Sequence, residues 1–163
     1  MSYSLSPLTP DNAQYMISWR YDSPYDRYDL SPDHISGLLN PGYRYHQVQD
    51  QSGELIGFCC FGEDARVPGG EYDEGEPAVL DIGAGMRPDL TGQGLGKRFI
   101  EAVLNFAKDT YHPEVYRVTI ADFNQRSLKT FQNLGFIIRG QFSRSLSDVQ
   151  FTQLERHVDE DSK

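Results

Sequence analysis

Three glycines alternate with other residues at Gly92, Gly94 and Gly96, and apolar residues at helical spacing follow them directly. The preceding residues alternate between apolar and polar or small types, so the order is strand, glycine-rich turn and helix. Glycine lets a backbone come close to a ligand, and the first N–H groups of a helix have no intrahelical acceptor. This arrangement is typical of phosphate binding. The alternative is a helix start with flexible glycines.

Two common phosphate-binding motifs do not fit this turn. A P-loop has Ser or Thr after its lysine, whereas Arg98 follows Lys97. A dinucleotide fingerprint has two residues between its last glycines, whereas only Leu95 separates Gly94 from Gly96. If the turn binds a phosphate group, it does so through neither of these two motifs.

The stretch Met86-Arg87-Pro88-Asp89-Leu90-Thr91-Gly92-Gln93-Gly94-Leu95-Gly96 resembles the coenzyme A loop of the GNAT superfamily of N-acetyltransferases. A second stretch, residues 124–136, is similar to a later helix of that superfamily: an asparagine, a short helix, then Gly135-Phe136 opening a strand. Residues 53–58 give a third, weaker match. The resemblance covers roughly residues 43–142, with the motifs in the expected order.

The resemblance implies a single acetyltransferase domain over residues 1–163 with acetyl-CoA as co-substrate and no metal. The implied fold is α/β, with a mixed central sheet of about seven strands, splayed at the cofactor site and flanked by about four helices. The implied reaction is direct transfer of an acetyl group to a primary amine in a ternary complex. The residues implied to bind the cofactor are Gly85, Met86, Thr91, Gly92, Gln93, Gly94, Leu95, Gly96, Lys97, Asn124 and Phe131.

Two positions depart from the superfamily's pattern. Thr91 stands where the loop usually begins with Arg or Gln, so backbone N–H groups, with Lys97 or Arg98, would have to hold the diphosphate. Phe131 stands where a tyrosine often protonates the departing thiolate. A thiol has a pKa of about 8.5, and general-acid help contributes about 10²–10⁴ in rate, so transfer without that tyrosine is feasible. Phe131 also keeps open a non-catalytic acyl-CoA-binding module.

Acetyl transfer needs a neutral amine. An alkylamine with a pKa near 10.4 is only about one part in 10³ neutral at pH 7, which costs roughly 4–5 kcal/mol. Asp81, on the strand that leads into the glycine-rich turn, is the candidate base, directly or through water. The alternative is a solvent-facing Asp81, or one bonded to neighbouring backbone. Gly83 and Gly85 on the same strand indicate a bulge, a close backbone approach or tight packing of a helix against the sheet.

Aromatic residues and carboxylates are the clues to the acceptor. We predict that Trp19, Tyr21, Tyr25 and Tyr28 line its pocket, while residues 63–76 carry six acidic side chains and one arginine. Aromatic faces with carboxylates favour a small cationic amine. A protein or peptide N-terminus is the second hypothesis. The alternatives are that the aromatics form core and that the acidic segment is a solvated face.

The remaining sequence predicts the elements that position these residues. Asp11 and the pair Ser31-Pro32 are predicted to start two helices, and Asn124 is predicted to cap another. The coenzyme A contact that the resemblance implies for Asn124 is compatible with this cap. A helix is predicted directly after the glycine-rich turn, because apolar residues recur there at three- and four-residue spacing: Phe99, Ile100, Val103, Leu104 and Ala107. Strands are predicted over residues 43–49, 55–62, 78–86, 115–121, 136–142 and 149–158.

Composition limits the class of partner. The 163 residues carry 24 acidic against 15 basic side chains, a net charge of −9, which disfavours nucleic acid and anionic membrane surfaces. No run is apolar enough to cross a membrane, and Cys59 and Cys60 are neighbours that make neither a disulfide framework nor a zinc site. We therefore expect a cytoplasmic protein. A homodimer is compatible with the sequence.

Overall fold

The computed structural model describes residues 2–72, 78–144 and 149–158. Its α-helices are α1 (Pro10–Met16), α2 (Ile35–Leu38), α3 (Gly96–Tyr111) and α4 (Gln125–Asn133). Its strands are β1 (Ser4–Pro7), β2 (His46–Gln49), β3 (Leu55–Phe61), β4 (Val79–Met86), β5 (Val115–Ala121), β6 (Ile137–Ser143) and β7 (Gln150–His157).

The strands form a seven-stranded sheet in the order β1-β2-β3-β4-β5-β7-β6. β4 pairs with β5 in parallel, from Val79 opposite Val115 to Asp81 opposite Arg117. The pairs β1–β2, β2–β3, β5–β7 and β6–β7 are antiparallel. The predicted α/β fold with a mixed sheet of seven strands and four helices is therefore confirmed. The splay at the cofactor site stays a prediction.

The chain forms two units, and each has its own buried residues. The first unit comprises residues 1–60 and 84–103. A hydrophobic cluster within it contains Ala13, Met16, Trp19, Leu38 and Leu55.

The second unit comprises residues 61–83 and 104–163. Its largest fully buried side chains are Tyr116, Phe61 and Leu154. The Phe61 ring packs on Tyr111 at 5.1 Å between centroids, and the Tyr116 ring stacks on Phe136 at 6.3 Å.

Local sequence explains where the N-terminal elements begin. Thr9, not Asp11, caps α1, because Thr9 Oγ1 accepts a hydrogen bond from the Asn12 N–H at 3.3 Å. Asp11 lies in the first turn instead. β2 starts at His46, later than predicted, because Pro41–Tyr43 form a 3₁₀ turn and Arg44 has a φ of +55°. β1 was not predicted, because a strand of only four residues shows little alternation in the sequence.

The other predicted helices form where their signals lie. Ser31 caps a 3₁₀ turn, Pro32–His34, which continues into α2. α3 buries Phe99, Ile100, Val103, Leu104 and Ala107, the residues whose spacing predicted it. None of the helices among the described residues is both long enough and apolar enough to cross a membrane. The cytoplasmic location and the homodimer stay predictions.

Candidate functional site

The glycine loop, residues 91–97, has the backbone that phosphate binding requires. Gly92 and Gly94 have φ angles of +73° and +79°, which side-chain-bearing residues rarely adopt. A Cβ added to Gly94 would meet no atom within 4 Å, so the space beside this backbone is open. The Leu95 carbonyl accepts the Phe99 N–H at 3.1 Å, and α3 begins at Gly96. The first N–H groups of α3 therefore have no intrahelical acceptor, which suits a diphosphate.

Two predicted cofactor residues use their side chains within the loop itself. Thr91 Oγ1 donates to the Pro88 carbonyl at 2.8 Å, and Gln93 Nε2 donates to the Asp89 carbonyl at 2.6 Å. These bonds shape the loop around the 3₁₀ turn Pro88–Leu90. Thr91 thus stabilises the conformation of the loop at the position where the superfamily usually has Arg or Gln. Lys97 is exposed in the first turn of α3, where its charge suits a phosphate.

Arg87 joins the residues before the loop to β3, a role that the sequence analysis missed. Its Nε and Nη2 donate to the two carboxylate oxygens of Asp89 at 2.6 and 3.1 Å. Its Nη1 donates to the Leu55 carbonyl at 2.9 Å, and its backbone N–H donates to the Ile56 carbonyl at 2.8 Å. The hydrogen bond from Arg87 lowers the pKa of Asp89 below its ordinary value. The available signal was an arginine and an aspartate two residues apart.

The end of β4 is glycine-rich because aromatic rings lie against it. A Cβ on Gly85 would lie 2.5 Å from the Phe58 ring. A Cβ on Gly57 of β3 would lie 2.6 Å from the Gly85 carbonyl and 2.7 Å from the Phe99 ring. Gly85 is therefore tightly packed against the Phe58 ring of β3, whereas the Phe99 ring of α3 lies against Gly57. The next carbonyl, that of Met86, accepts a hydrogen bond from the Tyr21 hydroxyl at 2.6 Å.

The four aromatic residues predicted to line an acceptor pocket separate into different environments. Trp19 belongs to the core cluster together with Ala13 and Met16. These three buried residues follow one another at three-residue spacing. Its ring meets Tyr15 edge-on at 5.7 Å. The structure thus favours the core alternative for Trp19. Tyr21 and Tyr25 are half-buried and Tyr28 is exposed.

Asp81, in the second unit, is neither solvent-facing nor bonded to neighbouring backbone. Only 2% of the residue is exposed. Arg117 Nε and Nη2 donate to its two carboxylate oxygens at 2.6 and 2.9 Å, and Arg66 Nε donates to Oδ2 at 2.9 Å. Burial disfavours the charged Arg117 guanidinium, but the bonds to Asp81 raise the pKa of Arg117 overall. A proton taken up by this carboxylate would disturb a guanidinium hydrogen bond, so the geometry favours a counter-ion over a direct base.

Tyr72 holds the same cluster from the segment before β4. Its ring lies 4.8 Å from the Arg117 guanidinium and 5.5 Å from that of Arg66. Its hydroxyl oxygen accepts the Val67 N–H at 2.8 Å and lies 2.9 Å from Thr119 Oγ1. The arginine segment, residues 63–72, is therefore bound to β4 and β5. Residues 73–76 of the acidic stretch lie outside the described residues.

Asn124 and Phe131 of the second unit have structural roles in α4. Asn124 Oδ1 accepts the Ser127 N–H at 3.1 Å, which is the predicted N-cap bond. Phe131 is buried and meets Phe136 edge-on at 5.0 Å between ring centroids. The ring of Phe131 thus serves as core packing, and coenzyme contacts of both residues stay predictions. Among the described residues, no group of three or more His, Cys, Asp or Glu side chains could hold a metal ion.

Known proteins give independent comparisons. The acetyltransferase (GNAT) family model matches residues 11–136. The L-amino acid N-acyltransferase MnaT of Escherichia coli (strain K12) is 28% identical over 115 residues, 66% of this chain but only 62% of the relative. Solved structures with the same fold include two named acetyltransferases. One is a chimera of the spermidine N-acetyltransferase SpeG from Vibrio cholerae and hSSAT, with a TM-score of 0.75, 13% identity and 98% coverage of both chains. The other is the aminoglycoside acetyltransferase AAC(6')-Ib in complex with coenzyme A, with a TM-score of 0.73, 15% identity and coverage of 97% and 96%.

Because the family match spans more than half of its length, the chain belongs to the acetyltransferase (GNAT) family. Membership confirms the resemblance found in residues 86–96 and 124–136.

Proposed function

We propose that residues 1–163 act as one acetyl-CoA-dependent N-acetyltransferase domain that acetylates a small primary amine. One observation carries this proposal: the open, positive-φ glycine loop that leads into the N-terminus of α3. Family membership supports the same conclusion, as does the coenzyme A bound to the related fold of the aminoglycoside acetyltransferase.

The backbone of the glycine loop would hold the diphosphate of the coenzyme. Gly92, Gly94, Leu95 and Gly96 offer backbone N–H groups without an obstructing side chain at the glycines, and Lys97 offers a positive charge. Bound acetyl-CoA supplies an activated acetyl thioester, whose carbonyl carbon the amine nitrogen attacks as the carbon–sulfur bond breaks. Gly85 and Met86 would lie along the donor by virtue of their place on β4, immediately before the loop.

Proton removal from the amine has two candidate routes. In the first, which the ion pairs support, Asp81 anchors Arg117 and Arg66 and the amine loses its proton to water. In the second, Asp81 is the base, directly or through water, as the sequence analysis predicts. A base contributes about 10²–10⁴ in rate, so the two routes differ measurably in a variant.

Fewer aromatic residues are proposed for the acceptor side than the sequence predicted. Trp19 lies in the core, which leaves Tyr21, Tyr25 and Tyr28 as the aromatic residues proposed for the acceptor side. The MnaT relative acts on L-amino acids by name, and the two structural neighbours are named for spermidine and aminoglycosides. A primary amine on a small molecule is common to these names, and it is the acceptor that we propose.

The proposal is tested by thiol release from acetyl-CoA with a panel of acceptors and identification of the product by mass spectrometry. The panel contains spermidine, an aminoglycoside, free L-amino acids and a peptide with a free N-terminus. We expect an N-acetylated product with at least one small amine. Product from the peptide alone would replace a small-molecule acceptor by a protein N-terminus. Background release with every acceptor, despite coenzyme A binding, would leave a binding module and refute the enzyme.

A further inference from the structure

The Tyr21 hydroxyl makes a hydrogen bond that belongs neither to the glycine loop nor to the hydrophobic core. It is the first residue of the tyrosine segment, residues 21–29, which contains the 3₁₀ turn Tyr25–Tyr28. Its hydroxyl donates to the carbonyl of Met86, 65 positions later in the chain, at 2.6 Å. Met86 ends β4 and directly precedes the turn that leads into the glycine loop. The Tyr21 hydroxyl therefore joins the tyrosine segment to the end of β4, which is predicted to lie beside acetyl-CoA.

The tyrosine segment is closed on itself, so the Tyr21 bond fixes it as a unit. The Asp29 carboxylate accepts the Tyr21 backbone N–H at 2.9 Å and thereby joins the first residue of the segment to its last. Between them, the Asp22 carbonyl accepts the Tyr25 N–H at 2.8 Å. The hydroxyl bond to Met86 therefore attaches a segment whose first and last residues are joined to each other.

The Tyr21 hydroxyl stays protonated near neutral pH and therefore remains a hydrogen-bond donor. Burial raises the pKa of Tyr21 well above its ordinary value, and the nearby Asp29 charge raises it further. The protonated hydroxyl can only satisfy the Met86 carbonyl by donating, so the direction of this bond is fixed.

We propose that Tyr21 is a positioning residue for acetyl transfer, holding the tyrosine segment at the end of β4 so that it forms the acceptor side of the site. This inference rests on the proposed function. The hydrogen bonds that shape the glycine loop come from Arg87, Thr91 and Gln93, and none involves Tyr21. Loss of the Tyr21 hydroxyl therefore leaves the hydrogen bonds of the glycine loop in place, and we expect its main effect on the acceptor.

The test compares Tyr21→Phe with Tyr116→Phe. Tyr116 also has a hydroxyl that donates to a backbone carbonyl, that of Leu104 at 3.3 Å, and burial also raises the pKa of Tyr116. Both variants lose one hydroxyl and keep the ring. Steady-state kinetics are measured with the acceptor found in the panel, coenzyme A affinity by calorimetry, and amide exchange over residues 21–29 by mass spectrometry.

We expect Tyr21→Phe to raise the acceptor KM about two- to tenfold, the factor expected for one hydrogen bond of ordinary net strength, with coenzyme A affinity unchanged. Amide exchange over residues 21–29 should accelerate by a similar factor. Tyr116→Phe should alter neither quantity. Equal acceptor KM values for Tyr21→Phe and wild type, or unchanged exchange over residues 21–29, would overturn the positioning role while wild-type turnover leaves the proposed function standing. Absence of wild-type turnover with every acceptor would refute the proposed function, and the positioning role with it.

Discussion

Two aspartates accept an arginine Nε at the same distance but in opposite environments, and this makes a matched pair of variants. Arg117 Nε lies 2.6 Å from Asp81, and Arg87 Nε lies 2.6 Å from Asp89. The Asp81 side chain is 2% exposed and the Asp89 side chain is 66% exposed. Replacing each aspartate by asparagine keeps its shape and removes its charge, so burial is the main difference between the two changes.

Asp81→Asn should cost far more stability than Asp89→Asn. Removing one partner of a buried ion pair costs about 3–5 kcal/mol when the remaining charge has no other partner. Without the Asp81 charge, the buried Arg117 guanidinium keeps only the more distant Glu155 carboxylate, 4.0 Å away, so we expect a loss toward the lower end of that range. An exposed pair such as Arg87–Asp89 contributes about 0–1 kcal/mol, since water screens it. Arg66 adds little to the first figure, because its side chain is 29% exposed.

The assay is urea unfolding at neutral pH, followed both by far-UV circular dichroism and by fluorescence of Trp19, the single tryptophan of the chain. Coincident transitions would justify comparing free energies of unfolding. A loss of under about 1 kcal/mol for Asp81→Asn, or equal losses for both variants, would refute the buried-anchor account.

The same variant separates the two routes for the proton. If Asp81 is the base, the transfer rate of Asp81→Asn falls at neutral pH and partly recovers at higher pH, where more amine is neutral. If Asp81 is an anchor, the pH profile keeps its wild-type shape in whatever fraction of the variant is folded.

Three further predictions concern other parts of the chain. A lysine at position 87 cannot reproduce the paired bonds to Asp89 together with the bond to the Leu55 carbonyl. Arg87→Lys should therefore weaken coenzyme A affinity a few-fold in calorimetry, with little change in melting temperature. Unchanged affinity would show that Arg87 does not position the loop. Burial lowers the pKa of His46 below its ordinary 6.5, although a hydrogen bond with the Arg44 carbonyl opposes the shift. Below pH 6.5 the folded state therefore binds fewer protons than the unfolded state, so the free energy of unfolding falls as the pH drops. His46→Gln should make the free energy of unfolding, measured with urea, depend less steeply on pH between neutral pH and pH of about 5. An equally steep dependence in the variant would contradict this prediction. Cys59 and Cys60 are both buried, and burial raises the pKa of Cys59, so neither thiol should react with a disulfide reagent until denaturant is added; rapid labelling of the native protein would argue against this packing.

Features carried by local spacing could be predicted from the sequence. The glycine loop, α3 and the Asn124 cap each depend on residues within a few positions of one another, and the structure contains all three. Trp19 shows the limit of spacing. An aromatic residue at helical spacing fits a core and a ligand-binding face equally well, and only the neighbouring Met16 and Leu38 place it in the core.

The partners of Asp81 and Tyr21 could not be predicted, because they are distant in sequence. Arg117 lies 36 positions from Asp81, and Met86 lies 65 positions from Tyr21. Strand register brings Asp81 opposite Arg117, since β4 and β5 run in parallel there. The alternating pattern placed Asp81 on a strand but could not show that its side chain is buried beside two guanidinium groups.

The central claim is that the glycine loop holds coenzyme A, and calorimetric titration of coenzyme A into two glycine variants tests it most directly. Gly94→Ala and Gly53→Ala both place a side chain at a positive φ, +79° and +86°, and in both positions the added Cβ meets no atom within 4 Å. Gly53 lies in the turn between β2 and β3, so it controls for backbone strain alone. We predict that coenzyme A affinity is lost or falls at least about tenfold in Gly94→Ala, because the methyl group occupies the space of the diphosphate, and stays at the wild-type value in Gly53→Ala. Wild-type affinity in a folded Gly94→Ala, or the same loss in both variants, would contradict the assignment of the loop.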